Sequence, residues 1–142
     1  MADDVSSGIF QVKILERHPY STQSFIPLGL PASTMENPSP SKFLVIVAPT
    51  LSSPDGSPDL QGIRAFVAHG NQGVTYGMGT WHAPMVVLGK REVEFVVLVH
   101  ENGVGNDDCQ EVAVGEGVDV EVRQGMGRGE YGLWGGEAKV KL

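Results

Sequence analysis

The sequence has almost no apolar spacing of three and four residues, the pattern by which an amphipathic helix buries one face, so a helical architecture is set aside. Cysteine occurs once, at Cys109, which rules out an internal disulfide framework and fits a reducing, cytoplasmic setting. Basic residues are scarce: 10 Lys and Arg stand against 17 Asp and Glu, a formal net charge of -7, and they form no run or stripe. A nucleic-acid backbone and an anionic membrane surface are therefore poor partners. The longest apolar runs, 43–48 and 95–99, fall far short of the ~20 residues that span a bilayer. The opening MADDVSSG lacks the basic flank and apolar core of a secretory signal.

What is present is a series of short apolar or alternating segments separated by Gly, Pro, Asn and Asp, the pattern of an all-β sandwich or barrel. The 142 residues suffice for one domain with a real core. "IFQVKIL" (9–15) alternates and predicts a half-buried strand with Phe10, Val12 and Ile14 inward. "KFLVIVA" (42–48) is nearly continuous in apolar residues and predicts a central strand. "GIRAFVA" (62–68), "WHAPMVVL" (81–88), "VEFVVLV" (93–99), "QEVAV" (110–114) and "VDVEV" (118–122) complete the set. "SPDLQGIR" predicts one short helical turn, since Pro58 and Asp59 suit its start. Two stretches read as loose: 29–41, rich in Pro, Ser and Asn, and the glycine-dense tail 123–142, with one late strand at "AKVKL". The expectation is a single domain over 1–142, its core at 8–122.

A metal or acid–base site needs several nitrogen and oxygen donors held by rigid strands. Two places supply them. "ILERHPYSTQSFIPLG" (14–29) carries Glu16, His18 and Gln23, and "GVTYGMGTWHAP" (73–84) carries His82 after a glycine-rich turn. Gly73, Gly77 and Gly79 are expected to supply the positive φ angles of a tight hairpin. Plainer roles exist for each. His18 before Pro19 suits a surface turn, Glu16 and Arg17 suit a solvated pair, Trp81 suits a core, and Arg64 suits an edge strand.

The pairing of the two stretches resembles the two motifs of the cupin superfamily of small jelly-roll barrels. Where the first motif has His-x-His, an acid and a glycine, this chain has Glu16-x-His18, Gln23 and Gly29. Where the second has Pro-x-Gly-x-x-His, it has Gly77-x-Gly79-x-x-His82. On longer strings, "LERHPYSTQSFIPLG", "PDLQGIRAFVAHGNQGVTYGMGTWHAPMVVLG" and "EFVVLV", the chain resembles the ureidoglycolate lyase family, its fungal branch above all, from about 8 to 122.

The resemblance implies a cupin-like barrel that splits ureidoglycolate into glyoxylate and urea in allantoin breakdown, and a homodimer. For that reaction His18 and His82 suit acid–base catalysis with Glu16 to orient one of them or help hold an ion, Gln23 and Arg64 suit the ureido group or the carboxylate, and Tyr76 and Trp81 are expected to wall the pocket. Cofactor use stays open between none and a divalent metal held by Glu16, His18, Gln23 and His82. Members of the family ordinarily carry a further segment before the "LERHP" strand, so the barrel is expected to be incomplete at its N-terminus. The alternatives are a small-acid binding module without turnover and a metal-dependent isomerase or dioxygenase.

Overall fold

The computed structural model describes residues 7–29, 42–89, 92–100, 103–104, 107–123 and 137–141. Among these residues ten strands follow one another as β1 (Ser7–Arg17), β2 (Gln23–Pro27), β3 (Lys42–Ala48), β4 (Arg64–His69), β5 (Val74–Tyr76), β6 (Trp81–His82), β7 (Val86–Leu88), β8 (Phe95–Val99), β9 (Gln110–Arg123) and β10 (Glu137–Lys141). All described pairings are antiparallel. The larger sheet runs β10-β9-β1-β6-β3-β4, with β7 also on β3, and the smaller runs β5-β2-β8. β4 and β10, at the two ends of that order, come near each other, so the larger sheet curls on itself. The all-β architecture expected from the sequence is the one found among the described residues, and its antiparallel sheets agree with a cupin-like fold. No helix among the described residues is long and apolar enough to cross a membrane.

Strand β3 explains its own sequence. Leu44, Ile46 and Ala48 enter one core with Val12, Leu15, Trp81, Val118, Val120 and Val122, while Phe43 and Val45 enter a second with Tyr76. A strand buried on both faces has no solvent side to keep polar, hence the unbroken apolar run. The second core lies between the sheets, because Phe25, Tyr76 and Phe95 reach it from β2, β5 and β8. Its aromatic rings meet edge to face: Phe43 with Phe95 at 5.2 Å, Phe25 with Tyr76 at 5.8 Å and Phe25 with Phe95 at 6.1 Å. That contact docks the smaller sheet.

Three expectations need correction. "WHAPMVVL" forms two strands, β6 and β7, on one edge of β3; Pro84 between them has no N–H for the ladder. "QEVAV" and "VDVEV" are one 14-residue strand, β9. Ile14 is exposed, and Leu15 takes the buried place. The last two share a cause. Between Val12 and Ile14 the pairing slips, from Val12 opposite Val118 to Ile14 opposite Ala113. Gly115 and Gly117, at φ 25° and 93°, absorb the extra β9 residues. Ahead of the slip Val12 points into the first core; after it Leu15 and Arg17 do. A slip of this kind passes the inward face from even to odd residues.

The short helical turn is a 3-10 turn at Leu60–Gly62, where the Asp59 carboxylate accepts from the Gln61 N–H at 3.1 Å. β10 takes up the late strand. Residues 30–41 of the expected loop and 124–136 of the expected tail lie outside the described residues.

Candidate functional site

The change of face at β1 decides where Glu16 points. With Leu15 and Arg17 turned to the first core, Glu16 emerges on the other side, facing the space between the sheets. β6 lies beside β1 there, with His82 directly opposite Glu16. On β6 the adjacent Trp81 goes to the first core, so His82 must take the Glu16 side. The smaller sheet contributes Gln23 and Tyr76, cross-strand partners at the ends of β2 and β5. His18 comes from the link between β1 and β2, where Pro19 favours an extended residue before it.

The glycine turn before β6 needs positive φ only once. Gly79 has φ 73° and donates its N–H to the His18 carbonyl at 2.8 Å, whereas Gly73 and Gly77 do not have the positive φ expected of them. The turn thereby ties the two motif stretches together.

These side chains meet closely. His82 Nε2 lies 3.1 Å from both Glu16 Oε1 and Gln23 Oε1. His18 Nε2 is 4.0 Å from the same Glu16 oxygen. One ligand atom each from Glu16, His18 and His82 falls within a 4.8 Å cluster. Tyr76 stacks on the His82 ring at 4.0 Å and 15°, covering one face of it. Burial and then the Glu16 charge push the Tyr76 hydroxyl well above the ordinary phenol range, so it stays protonated.

Backbone carbonyls fix which nitrogen of each histidine carries the proton. A carbonyl can only accept. His82 Nδ1 therefore donates to the Thr80 carbonyl at 3.0 Å, and His18 Nδ1 donates to the Asp108 carbonyl at 2.7 Å. In the neutral rings both Nε2 atoms then carry lone pairs. Burial holds His82 below the ordinary imidazole value, against the Thr80 carbonyl and the Glu16 charge, which favours the neutral ring. The result is a set of acceptors turned on one another, two imidazole nitrogens, a carboxylate oxygen and an amide oxygen. Among the described residues His18 Nε2 is buried without a hydrogen-bond partner. A divalent cation among them would satisfy these acceptors together, and imidazoles anchored through Nδ1–H to carbonyls are the usual arrangement around one. The residues present fit such an ion.

Of the residues expected at the site, Glu16, His18, Gln23, Tyr76 and His82 are brought together. Trp81 is not. It is buried on the far face of β6, its indole N–H donating to the Gly56 carbonyl at 3.0 Å. The expected solvated pair of Glu16 and Arg17 is also absent, since Arg17 is buried on that far face, over the Trp81 ring at 4.8 Å. Arg64 lies on the site face but farther out. Cα pairing sets Glu111, Glu16, His82, Val47 and Arg64 in one row across β9, β1, β6, β3 and β4. Two strand spacings, about 10 Å, separate Arg64 from His82 at the backbone. Its side chain is exposed.

Sequence reasoning missed the carbonyls of Thr80 and Asp108, which no side-chain motif advertises. It also missed Glu111, exposed and next to Glu16 in the row. Asp108 has a second task, its carboxylate accepting from the Tyr20 N–H at 2.7 Å. Burial raises that carboxyl, but hydrogen bonds from Ser21 and Tyr20 outweigh it and hold the group below its usual value.

The family model for ureidoglycolate lyase matches residues 2–121, nearly the whole described core. The chain belongs to the ureidoglycolate lyase family. A ureidoglycolate lyase of Schizosaccharomyces pombe is 44% identical over 114 residues, 80% of this chain and 55% of that protein. One from Saccharomyces cerevisiae is 48% identical over 92 residues, 64% of this chain and 43% of its own length. One from Pseudomonas fluorescens is 41% identical over 101 residues, 70% and 50% of the two chains. The chain thus spans about half the length of these ureidoglycolate lyases. The two stretches that build the cluster, 14–29 and 73–84, both fall inside the family match.

Proposed function

We propose that this chain carries the lyase chemistry of its family, splitting ureidoglycolate into glyoxylate and urea. The observation that supports it is the convergence of Glu16, His18, Gln23 and His82 at one point between the sheets. Ureidoglycolate bears a hydroxyl, a carboxylate and a ureido nitrogen on one carbon. Cleavage removes the hydroxyl proton, turns that O–H pair into the C=O of glyoxylate, and sends the C–N pair to the nitrogen, which takes up a proton as urea leaves. One group able to accept a proton and return it suffices.

Glu16 Oε1, His18 Nε2, Gln23 Oε1 and His82 Nε2 would hold a divalent cation. When bound, such an ion polarises the substrate's oxygens and lowers the pKa of its hydroxyl. With such an ion bound the two histidines would serve as ligands, which would leave the proton to Glu16, its Oε2 taking the proton from the hydroxyl and delivering it to the ureido nitrogen. Arg64, on the same face, suits the carboxylate, which its guanidinium can grip with two N–H groups. Tyr76 keeps water from one side of the His82 ring. Incubation with ureidoglycolate, followed for glyoxylate and urea, tests the reading; release of ammonia in place of urea would assign the amidohydrolase reaction instead.

A homodimer is part of this proposal. β8 lies at an edge of the smaller sheet, and Val96, Val97, Leu98 and Val99 are exposed. An exposed apolar edge is a template for pairing. Sedimentation should give twice the chain mass; monomer alone would remove the dimer. The single cysteine suits a cytoplasmic setting.

A further inference from the structure

Arg17 is a buried cation that the chemistry above leaves idle. It is 9% exposed and lies on the face of the larger sheet away from the cluster. Its Nε donates to Gln110 Oε1 at 2.7 Å, Nη1 to the Gly56 carbonyl at 2.5 Å, and Nη2 to the Asp55 carbonyl at 3.2 Å. Nη1 also reaches the Thr50 hydroxyl at 3.5 Å. Every one of these acceptors is neutral. Burying a charge costs free energy, and well-packed apolar residues often serve a core as well or better. Stability alone therefore does not account for an arginine here.

The contacts point to placement. Arg17 follows Glu16 and precedes His18, while Trp81 precedes His82. Arg17 and Trp81 both donate to the carbonyl of Gly56, and the guanidinium lies over the indole at 4.8 Å. One carbonyl thus joins the immediate neighbours of the site residues on β1 and β6. A second path runs through Thr50, whose hydroxyl donates to the Gly79 carbonyl at 2.6 Å; Gly79 in turn donates to the His18 carbonyl at 2.8 Å. Gly56 is fitted to the task. Its φ is 59°, and a Cβ there would collide with the Arg17 guanidinium.

We propose that Arg17, Trp81 and the Gly56 carbonyl form a positioning clamp behind the larger sheet that fixes Glu16 and His18 against His82. The use of cation affinity as a readout rests on reading the cluster as a divalent-cation site. None of the three touches the cluster; they act through the backbone of its neighbours.

The test compares the full chain with Arg17→Met, Arg17→Lys and Gly56→Ala. Two readouts are taken: the protonated nitrogen of His18 and His82 by long-range ¹H–¹⁵N spectra without metal, and Co²⁺ affinity by titration. In the parent both rings carry the proton on Nδ1. In Arg17→Met and Gly56→Ala the rings lose that single tautomer, and Co²⁺ affinity falls by ~10–100-fold, the range seen when groups that orient ligands are removed. Arg17→Lys restores only part, because one ammonium cannot fork to both carbonyls. Lower melting temperatures with unchanged tautomers and unchanged Co²⁺ affinity would overturn the clamp and leave Arg17 a structural residue. If the parent binds no Co²⁺ but the tautomers shift in the variants, the clamp stands and the cation reading falls. Should Arg17→Met not fold, Arg17→Lys and Gly56→Ala carry the comparison.

Discussion

His82 and Trp81 sit side by side in the chain and do opposite jobs. Successive strand residues face opposite ways, so "WH" cannot put both rings at one site. The parity of β6 was open in the sequence; once His82 is taken as a site residue, Trp81 belongs to the core. His82 is 1% exposed and stacked by Tyr76, so its removal leaves a hole as well as a missing donor. His82→Ala should lose about 2–4 kcal/mol in urea unfolding, as truncations of buried side chains do. Its Co²⁺ affinity should fall by more than ~100-fold, beyond the effect of a mere orienting partner. A variant that binds Co²⁺ as the parent does would remove His82 from the ligand set. Glu16, His18, Gln23 and His82 could be named from spacing because side-chain donors leave a mark in sequence. The Thr80 and Asp108 carbonyls that fix the two rings could not, since every residue has a carbonyl.

At the level of elements, the slip between β1 and β9 does more for the site than any motif. Without it, alternation from Phe10 and Val12 would carry Ile14 and Glu16 into the first core. The sequence showed the alternation and the glycines, but not that the glycines sit opposite the place where alternation must break. The break depends on which strand pairs with β1, and that partner lies about a hundred residues away. Gly117 has φ 93°, and a Cβ there would stand 2.7 Å from the Gln11 side chain and 3.1 Å from the Val12 carbonyl oxygen. Gly117→Ala should therefore lose about 1–3 kcal/mol of stability. It should also weaken Co²⁺ binding although residue 117 is remote from the cluster, because Glu16 loses its aim. A stable variant with full affinity would show that the face of Glu16 is set elsewhere. Central strand β3 was legible to the residue, since burial on both faces imposes an apolar run that no turn chemistry blurs.

At the scale of the whole molecule, two sheets meet over an aromatic contact, and the site lies along the same seam. Phe95 belongs to the smaller sheet and meets Phe43 and Phe25 edge to face. Phe95→Ala should lose about 3–5 kcal/mol, and Co²⁺ affinity should drop with it, since Gln23 rides on the same sheet. Unchanged affinity in a folded Phe95→Ala protein would mean that β2 keeps its place without that contact. How the two sheets face each other was not legible in the sequence, because patterning tells which side of a strand is buried but not by what.

Glu16 and His82 stand on one sheet and Gln23 on the other, so an ion held by all three is a rivet through the seam. Occupancy then resists the parting of the sheets by RT ln(1 + [L]/Kd), about 2.7 kcal/mol when the free ion is a hundredfold above its dissociation constant. The melting temperature should climb with the logarithm of Co²⁺ concentration and lose that dependence in His82→Ala. A flat melting curve series would mean the ion does not bridge the sheets. Where the climb is found, thermal unfolding becomes a gauge of site occupancy, readable with no substrate in the cell.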